Sequence, residues 1–105
     1  MSSDQLTYAD PGLPRIRFGT GWTEVTILSE VKVLFTARGY APVLVVGHHG
    51  IEETMFVGAT SLGRLLEAAR AAHGSRLTGL RVRIRRAAEH QRAPYECEVL
   101  GDEPG

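Results

Sequence analysis

Glu24-Val25-Thr26-Ile27-Leu28-Ser29-Glu30-Val31-Lys32-Val33-Leu34-Phe35 is the stretch that decides the fold. Its odd positions are Val25, Ile27, Val31, Val33 and Phe35, with one lapse at Ser29. Its even positions carry Glu24, Thr26, Glu30 and Lys32, interrupted by Leu28 and Leu34. Apolar residues at every second position mark a strand with one buried face and one mostly wet face. At about 3.3 Å per residue the run would reach roughly 40 Å, too far for a flat strand in a small domain. The spacing therefore predicts a bend or bulge near Leu28-Ser29, letting the strand serve two sheets.

The chain punctuates itself on either side of this run. Upstream, residues 1–13 are polar and aperiodic and read as a loose tail, with Pro11, Gly12 and Pro14 punctuating its junction to the domain. Arg15-Ile16-Arg17-Phe18 alternates and is a candidate short extra strand. Downstream, Thr36–Ala41 reads as a loop, and Val43–Val46 is apolar on both parities. Such a strand is either covered on both faces within the chain or meets a partner. Gly47–Gly50 reads as a turn and Glu53–Val57 as a third strand.

The period then changes to that of a helix. Ser61 is placed to cap it, while Leu62, Leu65, Leu66, Ala69 and His73 fall on one face and Gly74 can end it. Leu80–Arg85 alternates apolar residues with Arg81, Arg83 and Arg85. Tyr95–Leu100 follows a polar loop, with odd residues inward and Glu96 and Glu98 outward. A single domain over 14–100 with an acidic 101–105 tail results.

Bulk properties exclude several classes. The chain has 105 residues, 43% hydrophobic and 23% charged, ordinary for one globular domain. No apolar run approaches the ~18–20 residues of a membrane span, and no signal peptide is visible. One cysteine, Cys97, precludes an internal disulfide and suits a cytoplasmic home. Net charge is zero but uneven: residues 60–96 hold eight basic and three acidic side chains between two acidic flanks. Lys32 is the sole lysine; the other cations are arginine.

A long bent first strand, two more strands, a helix and a final hairpin resemble the OB fold in element order, without a sequence motif. The resemblance covers about residues 22–100. It implies a mainly β, five- to six-stranded closed barrel with one helix between strands three and four. It also implies a ligand surface made by the loops between strands one and two and between strands four and five, with the outer face of strands two and three. Here those positions are Arg38 and Tyr40, His90 and Arg92, and one parity of Val43–Val46 and Glu53–Val57, including Phe56. Aromatic rings there would stack on bases and cations would meet phosphates.

Arg81, Arg83 and Arg85 project at about 6.6–7 Å intervals, a spacing that can track a single-stranded backbone. Pairing across the hairpin to Glu96 and Glu98 is the competing account. Phe56 reads more readily as core than as a stacking ring, and Trp22 reads as cover for one end of the barrel.

Other chemistry is thinly represented. Adjacent His48 and His49 are expected to point apart, and no Cys/His spacing of a zinc site is present, so no metal is expected. Cys97 reads as an inert core thiol, and His73 as a packing residue. Ser61 and Ser75 lack an evident base, and Gly58–Gly63 lacks the lysine of a P-loop. The sequence thus leads to a cofactor-free, non-enzymatic module binding single-stranded nucleic acid, DNA ahead of RNA. The alternative is an assembly module that dimerises through Pro42–Val46.

Overall fold

The computed structural model describes residues 8–58, 60–90 and 92–102. Six strands and one helix follow in order: β1 (Thr23–Ile27), β2 (Lys32–Thr36), β3 (Gly39–His48), β4 (Ile51–Phe56), α1 (Thr60–Ala72), β5 (Leu80–Arg86) and β6 (Tyr95–Asp102). The fold is mainly β, one antiparallel six-stranded sheet carrying a single helix. Among the described residues no helix is long and apolar enough to cross a membrane.

The long first strand breaks where its alternation lapses. β1 and β2 pair in turn with the same edge of β3, Ile27 opposite Val46 and Lys32 opposite Val43. Leu28–Val31 therefore stand opposite only Leu44 and Val45, which forces a bulge. Leu28 donates its N–H to the Val45 carbonyl at 2.8 Å, and Val45 donates its own to Ser29 Oγ at 3.0 Å. The polar residue that spoiled the pattern thus replaces a missing ladder carbonyl.

Glu30 pins this bulge to the far side of the molecule. Its Oε2 accepts the N–H groups of Leu77 and Thr78, both at 2.7 Å, and the Thr78 hydroxyl at 2.8 Å. Arg70 Nε, from the last turn of α1, lies 3.6 Å from Oε1. Burial pushes the Glu30 carboxyl up; the Thr78 and Leu77 hydrogen bonds and the Arg70 charge outweigh it, leaving the pKa below its ordinary 4.5.

β3 is the hub. Its other edge pairs with β4 from Val43–Phe56 to His48–Ile51, while β1 passes on to β5 and β5 to β6. No ladder joins β4 to β6 among the described residues. The sheet is open as hydrogen-bonded, which corrects the expectation of a closed barrel. Part of the β4 outer edge is already taken: Thr54 donates to the Pro14 carbonyl at 2.7 Å and accepts from Ile16 at 3.0 Å. Arg15–Phe18 makes an isolated parallel bridge there rather than a full strand. The Arg86 N–H then meets the Gly19 carbonyl at 2.8 Å, so this segment lines the seam where closure would fall.

The core lies between α1 and one face of the sheet. Leu62, Leu66 and Ala69 from the helix pack with Val25, Ile27, Leu44, Val46, Met55, Leu77, Leu80, Val82 and Ile84. Each fully buried aliphatic side chain contributes about 1.5–3 kcal/mol. Ser61 lies within the helix rather than capping it, and its Oγ accepts the Tyr95 N–H at 3.0 Å, tying α1 to β6. The helix ends as expected: Gly74 has φ 74°, and Ser75 donates to the Arg70 carbonyl at 2.9 Å.

Val43 and Val45 belong to the opposite face, yet they are only 0% and 7% exposed. The upstream segment explains this burial. Ala9 donates to Val33 on β2 at 2.8 Å, and Pro14 accepts from Thr54 on β4, so the chain between them must pass over β3. From Tyr8 onward the expected tail is thus docked; residues 1–7 and 103–105 lie outside the described residues. Val43–Val46 is a central strand paired on both edges, which removes it as the expected dimer interface.

Candidate functional site

The arginine row on β5 is engaged by its neighbours. Register sets Arg83 opposite Glu98 and Arg85 opposite Glu96. Arg85 Nε reaches Glu96 Oε1 at 2.6 Å, Arg83 pairs with Glu98, and Arg81 Nη1 lies 3.4 Å from Glu24 Oε1. Glu24 is the partner sequence reasoning missed, because the β1–β5 pairing is non-local. Trp22, expected to cover one end of the barrel, is half-buried. Its ring lies under the Arg83 and Arg85 guanidinium groups, at 4.4 and 4.3 Å. Exposed pairs of this kind contribute about 0.2–1 kcal/mol each, and cation–π contacts a similar amount. These contacts occupy the carboxylate-facing edges of Arg81, Arg83 and Arg85 and one flat face of Arg83 and of Arg85, while Arg81 Nε is buried without an acceptor among the described residues.

The outer face of β3 and β4, the ligand surface implied by the OB resemblance, is largely closed. Val43, Val45 and Thr54 are buried there. Phe56 is half-buried, and the Arg15 guanidinium lies 4.3 Å from its ring centroid. One face of Phe56 is therefore already taken.

The β2–β3 hairpin is open. What read as a loop over Thr36–Ala41 is a tight connection with Ala37-Arg38 at its tip. The Thr36 hydroxyl donates to the Gly39 carbonyl at 2.7 Å and accepts the Arg38 N–H at 3.2 Å. Gly39 takes φ 108°, a backbone position that favours glycine. Directly below, Phe35 and Tyr40 form a cross-strand pair, centroids 5.1 Å apart and planes tilted by 60°. They are 69% and 67% exposed, the most exposed large apolar side chains among the described residues. Tyr40 was legible in the sequence. Phe35 was assigned to the buried parity and missed, because the hairpin carries that parity beyond the reach of α1.

Arg38 joins this aromatic pair on the hairpin, whereas His90 and Arg92 stand exposed on the β5–β6 loop. That loop is closed by Ala87 N–H to Pro94 at 2.9 Å and Ala93 N–H to His90 at 3.0 Å. Since β5 runs antiparallel to β1, the loop and the hairpin tip fall at opposite ends of the β1–β2 axis. The structure brings Arg38 and Tyr40 together and keeps His90 and Arg92 apart from them.

Between the hairpin root and α1 runs a cleft of about 430 Å³, floored by Val31, Pro42, Val57 and Leu66, with Glu30, Glu67 and Arg70 among its other lining residues. His48 and His49 do not point apart as expected. His49 adopts φ 53° in the turn, which brings the rings to 4.2 Å, and His48 Nδ1 lies 3.0 Å from Glu53 Oε1. No cluster of three metal-ligating side chains occurs among the described residues. Cys97 is half-buried; burial and then the Glu98 charge push its thiol up to about 11, so it is protonated at neutral pH.

No family model, curated protein or solved structure matches this chain.

Proposed function

We propose that the chain is a non-catalytic, OB-like module that binds single-stranded nucleic acid, DNA ahead of RNA, through the β2–β3 hairpin. The observation that carries this reading is the exposed Phe35–Tyr40 pair beside Arg38. Two solvent-facing rings offer stacking platforms that every base can use, worth about 1–3 kcal/mol per base, with little sequence preference. The strand path supports the OB-like part: a bulged first strand, a hub second strand, a third strand, the helix, then a hairpin returning to the first strand. Arg38 supplies charge on the finger, and Arg92 with His90 would meet a strand long enough to reach the opposite end. The neutralised β5 row is left out of the interface. The single half-buried thiol suits a reducing, cytoplasmic setting.

Fluorescence anisotropy with a labelled oligothymidylate tests this. Binding at low salt is expected, and with two phosphate contacts log affinity should fall with log salt at a slope of about −1.4. An absence of binding at low salt contradicts the reading.

A protein partner is the second reading, favoured by the apolar floor of the cleft beside α1 and by continuity of Val31 with the exposed Phe35 edge. Light scattering on the purified chain separates the two. A dimer whose formation is abolished by Phe35→Ala and unaffected by oligothymidylate would favour the partner reading.

A further inference from the structure

The seam between β4 and β6 gathers arginines unlike the paired Arg81, Arg83 and Arg85: Arg15 and Arg17 from the upstream segment, and Arg86 from the end of β5. Ile16 is buried and its N–H is bonded to Thr54, so its neighbours Arg15 and Arg17 share the outward parity and are both exposed. Both line a small cavity of about 90 Å³ with Arg86, Phe18, Phe56 and Tyr95. Among the described residues no carboxylate lines it; Glu89 lines a neighbouring cavity shared with Phe18 and Arg86. The volume holds several ordered waters or one tetrahedral oxyanion.

Two of these guanidinium groups are held by their faces. Arg15 lies 4.3 Å from the Phe56 centroid and Arg86 lies 5.9 Å from that of Tyr95. Stacking occupies the flat face and leaves the N–H edges for acceptors. Arg86 spends one Nη2 donor on the His90 carbonyl, but its Nε is buried without an acceptor among the described residues. Buried donors are almost always satisfied, so this N–H, like that of Arg81 Nε, is open to an acceptor from outside the described residues; at Arg86 it is joined by two further arginines around one cavity. Three like charges around one cavity also repel one another until an anion enters.

We propose that Arg15, Arg17 and Arg86 form a binding site for a phosphate-class oxyanion. The chemistry fits: arginine matches phosphate oxygens with paired, charge-assisted hydrogen bonds. The anion is either a free phosphate or a phosphate carried by a nucleic-acid strand. The site stands apart from the hairpin, so the fate of one reading does not decide the other.

Proton–nitrogen correlation spectra of the arginine Nε–H groups test it, with inorganic phosphate titrated against chloride at matched ionic strength. A saturable shift of the Arg86 Nε–H is expected, with affinity weakened about tenfold or more in Arg15→Gln/Arg17→Gln. Arg17→Gln alone, which leaves the Phe56 contact intact, should give an intermediate loss. Phe35→Ala/Tyr40→Ala should leave the response unchanged. Competition identifies the source: an oligothymidylate that competes only when 5′-phosphorylated marks a terminal phosphate, competition irrespective of the 5′ end marks the backbone, and competition by neither marks free phosphate. A shift that never saturates, or one retained at full affinity in the double variant, overturns the proposal.

Discussion

The β5 face and the β2–β3 finger are the two surfaces that a reader of the sequence would set side by side, and they behave oppositely. Arg81, Arg83 and Arg85 look like a ligand track, yet each meets a glutamate from β1 or β6, and two of them clasp Trp22. Phe35 looks like strand interior and Tyr40 like part of a glycine loop, yet both stand in solvent as a cross-strand pair beside Arg38. Charge in a regular row on a sheet attracts its own counter-charge from the next strand, because register sets side chains about 4.5–5.5 Å apart. An aromatic pair lifted off the body of the protein has no such internal partner. The surface available to a ligand is set by what the fold leaves uncovered, and here it leaves the finger.

The largest expected effect separates the two surfaces outright. Phe35→Ala/Tyr40→Ala should weaken oligothymidylate binding about tenfold to a hundredfold, measured by anisotropy at fixed low salt. Its unfolding midpoint should move little, since an exposed aromatic pair adds only about 0.5–1.5 kcal/mol. Retention of full affinity would remove the finger from the interface.

Glu30→Ala attacks the root of the finger rather than its tip. Losing the acceptor for Leu77 and Thr78 should cost about 1–3 kcal/mol in urea unfolding. The pH dependence sharpens this. The folded pKa of Glu30 lies below its unfolded value, so its contribution is fully present above about pH 4.5 and lost as pH falls through the lower folded value. The variant should lack that part of the acid limb, and an unchanged acid profile would show that the bulge is not anchored this way.

The β5 ladder should yield less. Arg83→Gln/Arg85→Gln is expected to destabilise by about 1 kcal/mol in total, with oligonucleotide affinity unchanged. The last expectation concerns Cys97. With its thiol pushed up to about 11 from 9.0, the loss of thiolate is partly offset by greater nucleophilicity, so disulfide exchange at pH 8 should run about tenfold slower in the folded chain than in the unfolded one.

Much of the fold was legible because it rests on local periodicity. The helix, its glycine end, the final hairpin and the break near Ser29 all follow from spacing and from one polar residue in an apolar series. The sequence could not show which edges meet. Glu24 as the partner of Arg81, Thr54 as the anchor for Pro14 and Ile16, and the upstream segment crossing β3 are contacts between residues distant along the chain. The same limit explains the candidate site. Tyr40 and Arg38 were visible because a turn glycine adjoins them. Phe35 was hidden, since alternation reports parity but not how far the helix extends over that face. Arg15, Arg17 and Arg86 converge only because the sheet stops short of closure.

Comparing the salt dependence of oligothymidylate binding in the wild type and in Arg81→Gln/Arg83→Gln/Arg85→Gln tests the central claim most directly. If the β5 row is sequestered, both proteins should show the same slope of log affinity against log salt, about −1.4. A wild-type slope near −3.5 that falls by about 2 in the variant would place phosphates on the arginine row and contradict the account.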